Sequence, residues 1–216
     1  MKSTIPDMIK ATKWIILTVL SVIIGSCANK ADKDVVIEDE SIPNTPQCVI
    51  LLQPYGNFKT AEAEALIPSL EYNFGTYLYG YWQFKVLPSV KHPEDAYLSD
   101  INRYKATAIL NHELKLVARW DTLIVGLTHA DICMDTHGKK NYGIIGCSYK
   151  NNRVCIVSDK RLRNKNDLWK PVLHEFVHAF YGSGHCPVDN DSCIMQDGKG
   201  KGDFTNKSIL CSHCRN

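Results

Sequence analysis

The sequence predicts one α/β domain over residues 47–216, because strand-like and helix-like segments alternate along this stretch. An apolar run at residues 48–52 is typical of a buried strand. The segment TAEAEAL that follows favours a helix, and residues 81–87 again have the pattern of a strand. A domain of this length can bury one substantial hydrophobic core.

The next elements continue this alternation. Pro68 is expected to interrupt or kink the first helix, because proline lacks the amide hydrogen that a helix interior needs. A second helix, capped by Ser99 or Asp100, is predicted to run to Val117. A strand at residues 123–127 is expected to follow it.

Two strands are predicted before the last helix, at residues 142–149 and 154–157. The turn between them, at residues 150–152, contains two asparagines, which tolerate left-handed backbone geometry. The register of this hairpin decides whether Cys147 and Cys155 face each other as a cross-strand disulfide or lie on opposite faces. The sequence leaves both arrangements open.

Residues 1–26 have the pattern of a bacterial lipoprotein signal peptide. Three lysines precede an apolar run that ends in IGSC and is too short to span a bilayer comfortably. Cleavage before Cys27 would leave a lipidated cysteine, followed by a polar tether that ends at residue 46. We therefore expect a location in the bacterial cell envelope, on a membrane that faces the periplasm or the exterior. An ordinary secretory signal and a short membrane anchor are the alternatives.

The charge pattern limits the kinds of molecule that the chain is expected to bind. The net charge is +2 and the sequence contains no dense basic stripe, so nucleic acid is not an expected partner. Membrane contact is expected through the lipid anchor. The chain is expected to be a monomer.

The segment HEFVHAFYGSGHC carries the clearest chemical signal. His174 and His178 lie four residues apart, so on a helix both imidazoles project from one face and can share a zinc ion. Glu175 is the candidate general base for a zinc-activated water, and His185, beyond the glycine turn, is the candidate third ligand. The alternative is a chance motif in a helix whose histidines are surface polar groups.

Cysteines follow this segment in a second pattern that is typical of a structural zinc site with four thiolate ligands. The four residues are Cys186, Cys193, Cys211 and Cys214. Two disulfides in an exported protein are the alternative. Cys48 and Cys133 have no evident partner and are expected to be buried free thiols.

The two patterns together resemble the archaemetzincin family, which joins HExxHxxGxxHC to a CxM segment and a C-terminal CxxC. The segments LTHADIC, GIIGCS and IVSDKRL also resemble the strands that precede the zinc helix in that family. The resemblance implies a metzincin-like mixed twisted sheet, an active-site helix and a C-terminal zinc-bound cysteine subdomain. It also implies two zinc ions per chain, one catalytic and one structural, with Met195 in the turn beneath the catalytic metal.

The sequence departs from the family pattern at one point. Three residues separate His178 from Gly182 where the family has two, and Tyr181 occupies the usual glycine position. If the longer helix prevents His185 from reaching the metal, Asp189 or Asp191 would complete the site.

The resemblance also places an edge strand at residues 143–147, above the zinc cleft, where a peptide could pair with it. An ordinary hairpin strand is the alternative. These observations predict a zinc-dependent peptidase in which zinc-activated water attacks the peptide carbonyl and Glu175 moves the proton. The alternative function is a noncatalytic zinc-binding surface lipoprotein that retains the fold.

Overall fold

The computed structural model describes residues 48–117, 121–198 and 204–215. The predicted signal peptide, the lipidation site Cys27 and the tether therefore lie outside the described residues. The elements, in chain order, are β1 (Cys48–Tyr55), α1 (Thr60–Tyr77), β2 (Trp82–Val86), β3 (Tyr97–Leu98), β4 (Arg103–Lys105), α2 (Ala106–Leu114), β5 (Thr122–Thr128), β6 (Ile132–Thr136), β7 (Lys139–Ile144), β8 (Gly146–Tyr149), β9 (Val154–Ser158) and α3 (Trp169–Tyr181). Two short 3₁₀ helices, Glu94–Ala96 and Lys165–Asp167, precede β3 and α3.

The main sheet has five strands in the order β2-β1-β5-β9-β8. The first four are parallel, and β8 is antiparallel to β9 at one edge. Alternate residues of each central strand face opposite sides. For example, Val125 on β5 joins the core with Phe74 of α1 and Phe176 of α3, whereas Ile124 joins the core with Ile109 of α2. The sheet is thus covered by helices on both faces, and the α/β prediction is confirmed.

A second sheet of four short strands, in the order β3-β4-β6-β7, lies beside the first. The predicted strand at residues 142–149 was wrong in one respect, because it is two strands that belong to different sheets. The chain passes from β7 to β8 at Ile145, whose carbonyl oxygen accepts a hydrogen bond of 2.7 Å from the Ser158 amide. β7 and β8 are each the outer strand of their sheet in the described part of the chain.

Two helix predictions also need correction. α1 continues through Pro68 to Tyr77, because buried Leu70 and Phe74 hold the turns that follow the proline against the core. α2 does not begin at Ser99 or Asp100 but at Ala106. The residues before Ala106 form β3 and β4, which pair with each other, and β4 also pairs with β6.

The cysteines upstream of α3 are free thiols. Cys48 and Cys133 are buried, as expected. Cys147 lies opposite Ile156 and Cys155 lies opposite Ser148, so the two cysteines point to opposite faces of the sheet and cannot form the cross-strand disulfide.

A search of the described helices finds none with the length and apolar character needed to cross a bilayer.

Candidate functional site

The site is built on α3, which begins after a 3₁₀ turn and is buried on most of its surface. Val172, Phe176 and Val177 are fully buried against the main sheet. The helix ends at Gly182, which has a left-handed φ of 67° and donates its amide hydrogen to the His178 carbonyl at 3.0 Å. The chain can turn back at this point toward the helix it has just left.

The three predicted histidines lie together. One ring nitrogen from each of His174, His178 and His185 can be chosen so that all three atoms are within 4.8 Å of one another. His185 reaches the group although the helix is one residue longer than in the family pattern. Asp189 and Asp191 do not belong to this group among the described residues.

Hydrogen bonds fix the orientation of two of these rings. Nδ1 of His174 lies 2.8 Å from the Ile194 carbonyl oxygen, and Nδ1 of His178 lies 2.6 Å from the Ser183 carbonyl oxygen. A carbonyl oxygen only accepts, so Nδ1 carries the hydrogen in both rings and each Nε2 has a free lone pair. The two Nε2 atoms are 3.1 Å apart. Two facing lone pairs at this distance repel each other unless a cation lies between them.

The same rings are held in the neutral form. Burial lowers the pKa of His174 to about 3, with a further contribution from neighbouring His178. Burial also lowers the pKa of His178. Neutral imidazoles with Nε2 lone pairs that converge are the ligands that zinc prefers, and hydrogen bonds on the opposite nitrogen are the usual support for such ligands.

Glu175 lies beside the histidines with its carboxyl group buried. Burial raises its pKa to about 7, and a hydrogen bond from Ser148 Oγ to Oε2, at 2.8 Å, opposes that rise. The carboxyl group lies directly against β8. A Cβ atom at position 146 would lie 2.6 Å from Oε1. Glu175 can therefore occupy this position only because residue 146 is a glycine.

Met195 is fully buried in the turn that supports the histidines. Its carbonyl oxygen accepts the Cys186 amide hydrogen at 2.8 Å, and the carbonyl of Ile194, directly before it, orients His174. The segment around Met195 therefore connects the histidine group to the residue that follows His185.

The four predicted cysteines form a second group, adjacent to the first. One sulfur from each of Cys186, Cys193, Cys211 and Cys214 lies within 4.8 Å of the others. The four are free thiols, and the Cys186 and Cys211 sulfurs, at 3.7 Å, are much farther apart than a disulfide bond of about 2.05 Å allows. Burial acts to raise the pKa of Cys211, but hydrogen bonds from the His213 amide and neighbouring thiols outweigh it and bring the value to about 7. A thiol of this kind is readily deprotonated on metal binding.

His174, His185 and Glu175 line a cleft between α3 and the two sheets. The described residues that line it are Met134, Thr136, His137, Tyr142, Gly143, Ile144, Ile145, Gly146, Arg161, Pro171, His174, Glu175, His185, Asp197, Gly198 and Phe204. The segment GIIG therefore forms one wall of the cleft, across the junction of β7 and β8.

The chain was compared with known proteins. No protein-family model matches it. It is 39% identical over 71 residues to an archaemetzincin from Nanoarchaeum equitans (strain Kin4-M), a match that spans 33% of this chain and 39% of that relative. The solved archaemetzincin from Methanopyrus kandleri has the same fold, with a TM-score of 0.61 and 23% identity over 80% of this chain and 94% of that one. The chain therefore has the fold of the solved archaemetzincins.

A zinc-dependent peptidase from Methanocorpusculum labreanum (strain Z) shares this archaemetzincin fold. Its TM-score is 0.58 at 18% identity, and the match covers 77% of this chain and 97% of that one. At these identities the structural matches establish the fold.

The sequence of this protein indicated the seven histidines and cysteines that the structure brings into two groups. It did not single out two residues that orient side chains of the site, or a third that lines the cleft. Ser148 reaches Glu175 from 27 residues away, and Ile194 reaches His174 from 20 residues away. Arg161 also lines the cleft. It belongs to the segment IVSDKRL, and the resemblance of that segment to the family gave this residue no role. Ser148 lies in the segment GIIGCS, and the resemblance of this segment to the family was the sequence feature that could have pointed to Ser148.

Proposed function

We propose that this protein is a zinc-dependent peptidase of the archaemetzincin type. The observation that carries the proposal is the placement of three imidazole ligand atoms within 4.8 Å of one another, next to a buried carboxyl group, where His174, His185 and Glu175 line an open cleft. The peptidase from M. labreanum supports it by the similarity of its fold.

The donor set fits zinc. His174, His178 and His185 would hold the ion and leave a fourth position open toward the cleft. When bound, zinc polarises the carbonyl of the scissile peptide and lowers the pKa of a water at the site.

Glu175 is proposed to accept the proton of this water and to pass it to the leaving amine. Its Oε2 is held by Ser148, which leaves Oε1 to take the proton. A carboxyl group buried in this way is a stronger base than an exposed one, since burial favours its protonated form.

The peptide is proposed to bind in an extended conformation along the wall from Gly143 to Gly146. Both strands that contribute to this wall are outer strands of their sheets in the described part of the chain. An outer strand can add one more strand through backbone hydrogen bonds, which gives affinity that depends little on the side chains of the peptide.

A second zinc is proposed on Cys186, Cys193, Cys211 and Cys214, where it would have four thiolate ligands and no open position. Its role would be structural. Cys186 directly follows His185, and Cys193 directly precedes Ile194, whose carbonyl orients His174. This ion would therefore hold the backbone next to both of these residues.

From the sequence we further propose that the domain is attached through Cys27 to a bacterial membrane, on the side of the periplasm or exterior, and that it acts on peptides or proteins as a monomer.

The decisive variant is Glu175→Gln, which keeps the size of the side chain and removes its basicity. We expect zinc binding to be retained and peptide cleavage to fall by about 10²–10⁴-fold. The measurements are zinc content and the rate of cleavage of a mixed peptide library, followed by mass spectrometry. Undiminished cleavage by the variant would contradict the proposed role of Glu175.

A zinc count separates the peptidase from the noncatalytic alternative. We expect native mass spectrometry of residues 28–216 to find two zinc ions, and one in each of the variants His178→Ala and Cys214→Ser. A single zinc that His178→Ala does not remove would leave only the cysteine site, and the noncatalytic zinc-binding lipoprotein would then be the better description.

A further inference from the structure

Arg161 occupies a fixed position in the wall of the cleft. Its Nε lies 2.6 Å from Asp131 Oδ1 and its Nη2 lies 2.7 Å from Asp131 Oδ2, an ion pair with two parallel hydrogen bonds. The guanidinium group lies against Gly143, where a Cβ atom would be 2.0 Å from Nη2. The side chain is therefore held in one orientation by two neighbours.

The charge of Arg161 is only partly balanced. Asp131 is shared with a second guanidinium, because Arg103 Nε lies 2.8 Å from Asp131 Oδ2. Two positive groups on one carboxylate leave a net positive charge at this wall. Arg103 does not line the cleft, and it uses Nη1 to donate to the Asn141 carbonyl.

Arg161 keeps donors that can reach a ligand. Its side chain is 34% exposed, and Nη1 makes no hydrogen bond among the residues that the structure describes. It supplies the only guanidinium or ammonium group among the described residues that line the cleft. The carboxyl groups that line the same cleft are those of Glu175 and Asp197.

Arg161 and Glu175 lie against neighbouring positions of the cleft wall. Arg161 lies against Gly143 in β7 and Glu175 lies against Gly146 in β8, on either side of Ile145, where the chain passes from one sheet to the other. A peptide that lies in the cleft beside Glu175 therefore has a group near Arg161 within a few residues of the bond that Glu175 would help to cleave.

We propose that Arg161 is a specificity-determining residue that binds a carboxylate of the substrate, within a few residues of the scissile bond. This inference rests on the proposed peptidase function and adds to it a preference for substrates that carry a carboxylate near the scissile bond. A planar guanidinium that is already oriented pairs with a carboxylate at a small cost in side-chain entropy. The carboxylate is supplied either by an Asp or Glu side chain or by the carboxyl terminus of a short peptide.

The test uses peptide binding by the zinc-loaded Glu175→Gln protein, so that cleavage does not interfere. Matched peptides carry Glu or Gln at each of the second to fourth residues on either side of the scissile bond, and a second series compares a free carboxyl terminus with its amide. We expect one acidic peptide to bind about tenfold tighter than its neutral partner, as a charge-assisted hydrogen bond provides. The series in which the difference appears identifies the source of the carboxylate.

Three substitutions in the same background separate recognition from structure. Arg161→Met should abolish the preference for the acidic peptide and leave the affinity for the neutral one nearly unchanged. Arg161→Lys should retain part of the preference, because lysine keeps the positive charge but lacks the planar guanidinium that donates two parallel hydrogen bonds. Arg103→Met is the matched control: it removes the other cation on Asp131, outside the cleft, and should leave the preference intact. Thermal unfolding and zinc content check that each variant is folded.

Two results would overturn the inference. Equal binding of acidic and neutral peptides by the protein with Arg161 would refute the carboxylate preference and leave the peptidase function standing. Failure of every peptide to bind, together with absence of cleavage by the protein with Glu175, would refute the peptidase function and this inference with it.

Discussion

At the scale of single residues, the orientation of Glu175 depends on one absent side chain. The Cβ of an alanine at position 146 would lie 2.6 Å from Oε1, so in Gly146→Ala the carboxyl group must move. We expect cleavage to fall by about 100-fold, because displacement of a catalytic group by about 1 Å has an effect of that order, while zinc binding is retained. The measurements are kcat/KM and zinc content.

The matched control for this variant is Gly198→Ala. Gly198 lines the same cleft, and no atom of the described residues lies within 4 Å of a Cβ added there. We expect nearly normal cleavage from it. Equal losses in the two alanine variants would mean that the contact between Gly146 and Glu175 does not control catalysis.

The residues of the site differ in how far the sequence could predict them. His174 and His178 are four apart on one helix, so local geometry alone brings their rings together. The contact between Ser148 and Glu175 exists only because β8 packs on α3, and no local pattern encodes that packing. Whether His185 reaches the other two histidines depends on the direction that the chain takes after Gly182. The extra residue relative to the family pattern left this direction open.

At the scale of elements, the end of α3 determines where the third histidine lies. Gly182 has a φ of 67°, a region that other residues enter at a cost, and an added Cβ would lie 2.3 Å from the Asn151 side chain. We expect Gly182→Ala to lower the free energy of unfolding by about 1–2 kcal/mol. It should also weaken binding of the catalytic zinc, because the loop that carries His185 starts there.

Zinc titration with a competing chelator, together with urea unfolding, measures both effects. Gly184→Ala serves as the control, because it lies in the same loop and its Cβ would have no atom of a described residue within 4 Å. Zinc affinity that is equal in the two variants would show that the left-handed conformation of Gly182 does not position His185.

The elements of the main sheet were predictable, and those of the second sheet were not. Long apolar strands such as β1 and β5 have a clear pattern that the structure reproduces. β3 has two residues and β4 has three, too few for a pattern to appear. The division between β7 and β8 was missed because Ile144 and Ile145 continue the apolar run without a turn residue.

At the scale of the whole molecule, the last described segment connects distant parts of the chain. Tyr77 at the end of α1 donates to the Ser208 carbonyl at 2.6 Å, and Ile194 donates to the Ile209 carbonyl at 2.7 Å. Lys207 donates to the Gln196 carbonyl at 3.0 Å. The cysteine group thus lies where the C-terminal segment, the turn before Met195 and the loop after His185 meet, and a metal there would stabilise all three together.

The stability of the whole domain should depend on pH through Glu113 of α2. This residue is fully buried on the side of the main sheet away from α3, and neither of its carboxyl oxygens makes a hydrogen bond among the described residues. Burial raises its pKa well above the ordinary 4.5, and neighbouring Tyr55 opposes this only in part. The folded protein therefore keeps a proton that the unfolded chain releases.

The sign of the effect follows from this difference. Below pH 4.5 the carboxyl group is protonated in both states and contributes no pH dependence. As the pH rises further, only the unfolded chain releases the proton, so stability falls by up to about 1.4 kcal/mol per pH unit until the folded state also ionises. Glu113→Gln cannot ionise, so its stability relative to the unsubstituted protein should increase over the same range.

Urea unfolding of the zinc-loaded proteins at several pH values between about 4.5 and 8 measures this difference directly. Glu71→Gln, an exposed position on α1, is the control and should follow the unsubstituted protein at every pH. Because the metal sites are the same in all three proteins, their own pH dependence cancels in the comparison. Parallel stability curves for Glu113→Gln and the unsubstituted protein would show that Glu113 does not keep its proton in the folded state.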